Sequence, residues 1–328
     1  MGYYKGKKVL VTGGSGFIGS HLVRRLVSEG ADVSIMVRYQ EKIDNVRMSG
    51  IWDKLNLIEA DVRNLDTMQA VKDLAPQVIF HLAAFNHVGR SFSCVQECFD
   101  VNARGTANLL DAYDGYEKFV YTSTSEIYGL QDSVPFVETM MPAPQSPYSV
   151  TKYTGELYAL MKQRQKDLPI AVIRPFNVFG PYQTPSAVIM NFIRMALNGE
   201  RLSTDKGEQT REFNFIDNTV DGFLLVGEKD EAIGKYINVG GGEDFEISIA
   251  DLARKVVEFS GSKSELGIGD KPYRENEIWR MYSDSSKAKE LLGWEPKISF
   301  DDGLKKTIDW FRKYREEFEN KDKHLSNL

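Results

Sequence analysis

The stretch Val9-Leu10-Val11-Thr12-Gly13-Gly14-Ser15-Gly16-Phe17-Ile18-Gly19 decides how this chain is read. A short β-branched run enters three glycines, Gly13, Gly16 and Gly19, and an amphipathic stretch over residues 20–29 follows. Strand, glycine turn and helix start form the context in which that spacing carries meaning. Residues without side chains let the backbone turn tightly and approach a pyrophosphate, while free N–H groups and the helix dipole supply the counter-charge. The expectation is a dinucleotide site in which Gly13, Gly16, Phe17 and Ile18 meet the phosphates.

Working outward, Val33-Ser34-Ile35-Met36-Val37, Leu57-Ile58-Glu59, Val78-Ile79-Phe80-His81, Phe119-Val120-Tyr121 and Ile170-Ala171-Val172-Ile173 are further strand candidates. They alternate with helical patterns such as 67–74 and 95–113, which predicts an α/β Rossmann doubly wound parallel sheet with its crevice beyond the carboxyl ends of the strands. After Arg174-Pro175-Phe176 the rhythm changes to shorter elements between glycine-rich and charged loops, up to a helical tail at 301–321. We expect a dinucleotide-binding domain over 1–175 and a smaller C-terminal substrate-binding lobe over 176–328, with part of 213–240 returning to the first domain.

Around the expected cofactor, the second strand ends in Val37-Arg38 rather than in the acidic residue that usually takes the ribose hydroxyls of NAD. A guanidinium there favours a 2′-phosphate, hence NADP over NAD. Asp61 and Val62 are placed to reach the adenine edge. Leu82, Ala83 and Ala84 supply small groups where a strand end must pass close to the cofactor, and His81 reads as structural.

Composition narrows the class. A chain of 328 residues with 42% hydrophobic content can bury an α/β core and a second lobe. Its net charge of −6 is spread along the sequence, which argues against nucleic acid or an anionic membrane as partner. No signal-peptide pattern and no stretch of roughly 20 apolar residues is present, so a cytoplasmic location is expected. Cys94 and Cys98 lack a histidine pair nearby, which reads as idle thiols rather than a metal site.

Tyr148 and Lys152 stand four apart, on one face of a helix, where an ammonium and a nearby ribose can lower a phenol's pKa until it acts as a base. The same spacing recurs at Tyr3/Lys7, Tyr4/Lys8 and Tyr158/Lys162. Only Tyr148 follows a helix-start signal, Ser146-Pro147, after a strand ending in hydroxyl residues. Beside it, Thr124-Ser125-Glu126 adds a carboxylate that alcohol oxidation alone does not need.

These residues, with His81-Leu82-Ala83-Ala84, Asn102, Gly105-Thr106, Ser123 to Gly129, Arg174-Pro175-Phe176-Asn177 and Leu291-Leu292-Gly293-Trp294, resemble the extended short-chain dehydrogenase/reductases acting on nucleotide sugars. The resemblance implies that Tyr148 takes the proton of the sugar 4-hydroxyl, Lys152 holds the nicotinamide ribose and Thr124 bonds the 4-oxygen. It places substrate contacts at His87, Arg90, Asn177, Arg211, Arg274 and Glu277. It also implies a homodimer through the helix carrying Tyr148 and the one at 95–113, with Leu157, Leu160 and Met161 either at that interface or in the chain's own core.

Glu126 makes the finer distinction. Epimerases of this kind generally carry a small residue there, whereas the chain is similar to 4,6-dehydratases at Thr124-Ser125-Glu126. The implied chemistry is oxidation at C4, removal of the acidified C5 proton by Glu126, loss of water from C6 and return of the hydride to C6. Some dehydratases place an aspartic acid before the glutamate; here it is Ser125, so Glu126 serves as both base and acid, or Ser125 shares in the proton transfer. The string from Ser123 to Gly129 is similar to N-acetylhexosamine nucleotide dehydratases, which points to UDP- or GDP-linked N-acetylglucosamine. A 4-epimerase, a UDP-glucuronate decarboxylase and a non-enzymatic NADP-binding protein are the alternatives.

Overall fold

The computed structural model describes residues 2–38, 46–273 and 278–325, with side chains through residue 314. Six strands alternate with helices in the first half: β1 (Lys8–Thr12), β2 (Asp32–Val37), β3 (Leu55–Glu59), β4 (Val78–His81), β5 (Lys118–Thr122) and β6 (Ile170–Pro175). They form a parallel sheet that a later strand, β11 (Tyr236–Val239), completes, in the order β11-β6-β5-β4-β1-β2-β3. β4 and β5 are buried at every residue, as the near-continuous apolar strands of a sheet covered on both faces must be. The expected doubly wound sheet is thus present, and its strand order reverses between β1 and β4, where such folds open a ligand crevice.

His81 pins that crevice. Thr12 and His81 are direct partners across β1 and β4. The Thr106 hydroxyl donates to the Asn102 carbonyl, so it accepts from His81 Nε2 at 3.0 Å, and His81 Nδ1 in turn accepts from the Thr12 hydroxyl at 2.7 Å. Burial depresses the imidazole to about 3, so the ring is neutral near pH 7 and holds one tautomer. Thr12 Oγ1 then accepts from the Ala83 N–H at 3.1 Å, tying the two strand ends together.

The glycine turn leads into the Phe17–Ser28 helix, which starts three residues earlier than the apolar pattern indicates. The expected helix at 95–113 is interrupted. Val95–Phe99 and Gly105–Ala112 are α-helical, and Asp100–Arg104 between them is a π turn. Its buried Asn102 reaches out to bond both the N–H and the carbonyl of Phe85 and the hydroxyl of Thr151, long-range partners that local periodicity does not reveal.

The rest of the chain adds short strands: β7 (Val178–Phe179), β8 (Leu202–Thr204), β9 (Thr210–Glu212), β10 (Asn214–Phe215), β12 (Glu246–Ser248) and β13 (Leu266–Ile268). These pair as β7 with β10, β9 with β12 and β8 with β13. Phe179 meets Phe213 and Phe215 edge to face, and Phe300 packs tilted against Phe179 and Phe213. The Ile216–Glu228 helix packs on β5 and β6 and against the Phe17–Ser28 helix. No helix among the described residues is long and apolar enough to cross a membrane.

Candidate active site

At the β1/β4 switch lies a cleft of about 340 Å³. Its walls include eight of the residues read from sequence as cofactor contacts: Gly13, Gly16, Arg38, Asp61, Val62, Leu82, Ala83 and Ala84. Gly13 has φ 67°, and a Cβ there would lie 2.8 Å from the Ala83 nitrogen, so only glycine lets the turn pass the end of β4. Phe17 and Ile18 open the helix behind Gly16, and no side chain caps that end. The first-turn N–H groups therefore suit an anion. Asp61 is forked by Arg63, with Nη2–Oδ2 at 2.6 Å, and that guanidinium holds the carboxyl below its usual range.

Arg47 also lines this cleft and no sequence signal marks it. It lies outside the strand-end motifs and arrives by tertiary contact, its Nε donating to the Tyr182 carbonyl at 3.2 Å. At the end of β5, Thr122 Oγ1 and Ser123 Oγ are buried with no hydrogen-bond partner. A cradle that a Cβ would fill, an uncapped helix start and two orphaned hydroxyls fit a dinucleotide.

The candidate catalytic groups sit where β5 and the Pro147–Lys166 helix converge. Ser146 caps that helix in a reciprocal capping box with Ser149, and Pro147 occupies its first turn, as the sequence indicates. Tyr148 accordingly begins the helix on a rigid base. The Thr124 side chain acts on the Tyr148 phenol, favouring loss of the proton. Thr124 Oγ1 also accepts from the Glu126 N–H at 3.2 Å, which caps the 3-10 turn Ser125–Ile127. That hydroxyl therefore fixes the turn that carries the carboxylate. Ser125 is buried in that turn.

Electrostatics differ from the expectation in one respect. Burial pushes the Tyr148 phenol up to about 12, outweighing the opposing effect of Thr124, and Glu126 pushes in the same direction as burial. Lys152 is not among the groups that act on the phenol here. Burial lowers the Lys152 ammonium to about 7, while Glu156 works against that fall. The Lys152 Nζ sits 4.5 Å over the Tyr121 ring, and the Tyr121 hydroxyl donates to the Lys152 carbonyl at 2.8 Å. Glu126 is raised by burial, with Arg211 pulling it down, so Glu126 lies within electrostatic reach of both Arg211 and Tyr148.

The substrate-side candidates divide. Asn177 donates to the Glu212 carbonyl at 3.1 Å, and Arg211 on β9 donates to the carbonyls of Thr210 and Ile278. His87 and Arg90 are exposed on the short Val88–Ser91 helix, which packs on the Pro147–Lys166 helix, and His87 Nδ1 accepts from the Arg90 N–H as a cap. Arg274 and Glu277 lie outside the described residues. Missed altogether was Glu156, whose signal was available: it follows Lys152 by the same four residues that separate Lys152 from Tyr148.

A dinucleotide-type Rossmann crevice, in a chain that also gathers a phenol, an ammonium and a carboxylate beyond β5, fits a class of cofactor-dependent enzymes on alcohols. Comparison with known proteins narrows it. The family described as GDP-mannose 4,6 dehydratase matches residues 10–307, and this chain belongs to it, within the extended short-chain dehydrogenase/reductases that include nucleotide-sugar dehydratases and epimerases. A dTDP-D-glucose 4,6-dehydratase of Mus musculus is 31% identical, over 97% of this chain and 92% of its own length. A UDP-glucose 4-epimerase of Mycolicibacterium smegmatis is 34% identical, over 93% and 98% respectively. Among solved structures, the epimerase Mth375 of Methanothermobacter thermautotrophicus superposes with a TM-score of 0.88 at 32% identity, covering 97% of this chain and 95% of that one. DesIV, a dTDP-glucose 4,6-dehydratase of Streptomyces venezuelae solved with NAD bound, gives 0.84 at 29% identity, covering 95% and 99%.

Proposed function

We propose that the chain is a nucleotide-sugar 4,6-dehydratase that converts UDP- or GDP-N-acetylglucosamine to the 4-keto-6-deoxy sugar. The observation that carries this reading is Glu126: a carboxylate whose affinity for a proton is raised by burial, on a turn capped by Thr124 and within electrostatic reach of the Tyr148 phenol. Tyr148 accepts the 4-hydroxyl proton, with Thr124 bonding the same oxygen. Lys152 holds the nicotinamide ribose. Glu126 removes the C5 proton and returns a proton to the leaving oxygen on C6, with Ser125 alongside. Asn177 and Arg211 face the diphosphate, and His87 and Arg90 the sugar side. A bound nicotinamide supplies the hydride acceptor for C4 and the donor for C6.

The cofactor is NAD or NADP. Arg38 in the cleft wall favours NADP, whereas DesIV was solved with NAD. Residues 1–175 serve the cofactor and 176–328 the nucleotide sugar, with part of 213–240 shared. The chain works as a homodimer through an apolar stripe on the Val95–Phe99 and Pro147–Lys166 helices, where Phe99, Val150 and Leu157 are exposed. A 4-epimerase is the second reading, supported by the likeness to Mth375 and to the mycobacterial enzyme.

Reaction in heavy water with mass detection separates the two. A dehydratase product has lost one water and carries solvent deuterium at C5, while an epimerase leaves the mass unchanged. Glu126→Gln should cut elimination by roughly 10²–10⁴-fold, the usual worth of a general base, while the bound cofactor is still reduced. Full turnover by Glu126→Gln would remove Glu126 from the mechanism.

A further inference from the structure

The helix bearing Tyr148 and Lys152 continues their spacing to Glu156, so three ionisable side chains share one face. Glu156 is 1% exposed and forked by Arg174 of β6, itself 2% exposed; Arg174 Nε donates to Oε2 at 3.1 Å and Nη2 to Oε1. The remaining fork of the guanidinium leads elsewhere. Arg174 Nη1 donates to the Tyr128 hydroxyl at 2.8 Å, and that hydroxyl donates to Asn238 Oδ1 of β11 at 2.7 Å. Asn238 is fixed in turn, its Nδ2 donating to the Phe136 carbonyl at 3.0 Å and its N–H to Glu138 Oε1 at 2.9 Å. A buried polar relay thus runs from the Tyr148/Lys152 helix through the sheet to Tyr128.

Tyr128 stands two residues beyond Glu126, and its N–H closes the 3-10 turn on the Ser125 carbonyl at 3.1 Å. Its ring packs on Phe136 and Phe176, with centroids 5.4 and 6.2 Å away. Just after it, Gly129 has φ 61° and sits so close to the Ala143 carbonyl that a Cβ would fall 1.8 Å from its oxygen. The turn is therefore capped at its start by the Thr124 hydroxyl, which accepts from the Glu126 N–H, and held at its end by the Tyr128 hydroxyl. Desolvating a buried ion pair costs several kcal/mol per ion, and apolar residues of the same volume often serve stability as well or better. What apolar packing does not supply is direction. A hydroxyl placed between a planar guanidinium and an amide has its position set by two hydrogen bonds.

We propose that Glu156, Arg174 and Tyr128 are positioning residues that fix the Glu126 turn against the Tyr148/Lys152 helix, so that carboxylate and phenol meet one sugar ring in register. The inference rests on the dehydratase reading for the identity of the reaction, whereas the geometry it asserts does not depend on which conversion is run.

Tyr128→Phe deletes one oxygen and keeps the ring packing. It should lower kcat at least about ten-fold, or about 1.4 kcal/mol, while KM for the nucleotide sugar and Kd for the cofactor stay within about two-fold. A crystal structure of the variant should show the Glu126 carboxylate displaced by about 0.5 Å or more, the tolerance within which reacting groups must be held. Arg174→Lys keeps the charge but cannot bridge Glu156 and Tyr128 together, and it should reproduce both effects. Unchanged kcat in the folded variants overturns the proposal, as does a loss of kcat with Glu126 unmoved. If the wild type turns over a nucleotide sugar without taking up deuterium at C5, the dehydratase reading falls alone, and the kcat measurement on that reaction still judges the relay. If no turnover is found, the position of Glu126 in the variant crystals decides.

Discussion

At the scale of single residues, Lys152 shows how a buried ammonium opposes stability. Its ammonium falls from 10.5 to about 7 because burial strips its water, and Glu156 only partly offsets this. Between those values the unfolded chain binds more protons than the native one, so this group makes stability rise with pH. Its cost, on the order of a few kcal/mol, is fully present below pH 7 and fades toward pH 10.5. Lys152→Met should therefore raise the urea midpoint of the cofactor-free protein at pH 6, with the gain shrinking by pH 10, while kcat drops roughly 10²-fold or more. A variant no more stable than wild type at pH 6 would show that the ammonium is solvated. The Tyr148/Lys152 pair was legible because the helix-start signal singled it out among four equal spacings. The opposing pKa shifts were not, since they depend on what the sheet and neighbouring helices bury.

At the scale of elements, the Pro147–Lys166 helix depends on its first turn. Ser146 accepts from the Ser149 N–H at 3.1 Å, and Ser149 Oγ accepts from the Ser146 N–H at 3.0 Å. Ser146→Ala should cost about 1 kcal/mol, seen as a lower midpoint in chemical denaturation, and should lower kcat with little change in KM, because the frayed turn carries Tyr148. Equal stability would mean that packing alone holds that end. This cap could be read directly from Ser146-Pro147. The π turn at Asp100–Arg104 could not, because Asn102 satisfies Phe85 and Thr151, partners 17 and 49 residues away.

At the scale of the whole molecule, one face remains apolar. Phe92, Val95, Phe99, Val150 and Leu157 are exposed at 62, 41, 43, 38 and 48%, and Val150 and Leu157 lie two helical turns apart on the same side. Leu160 by contrast is buried in the chain's own core, and Met161 is half-buried, so the helix divides its apolar residues between two tasks. Light scattering should find twice the 37.2 kDa chain mass, and Phe99→Asp with Leu157→Asp should yield a monomer with unchanged cofactor affinity. A wild-type monomer would refute the dimer.

The sequence by itself determined the parallel sheet, the glycine turn at its switch point, and the Tyr148/Lys152 pair, because each is a local pattern in which spacing maps directly onto one face or one turn. Tertiary structure alone decided that Arg47 enters the cofactor cleft, that Glu126 comes within electrostatic reach of Arg211 and Tyr148, and that Glu156, Arg174, Tyr128 and Asn238 join in one buried relay. Those residues come from separate helices, strands and loops, and hydrogen bonding between them is set by how the elements pack rather than by any period along the chain.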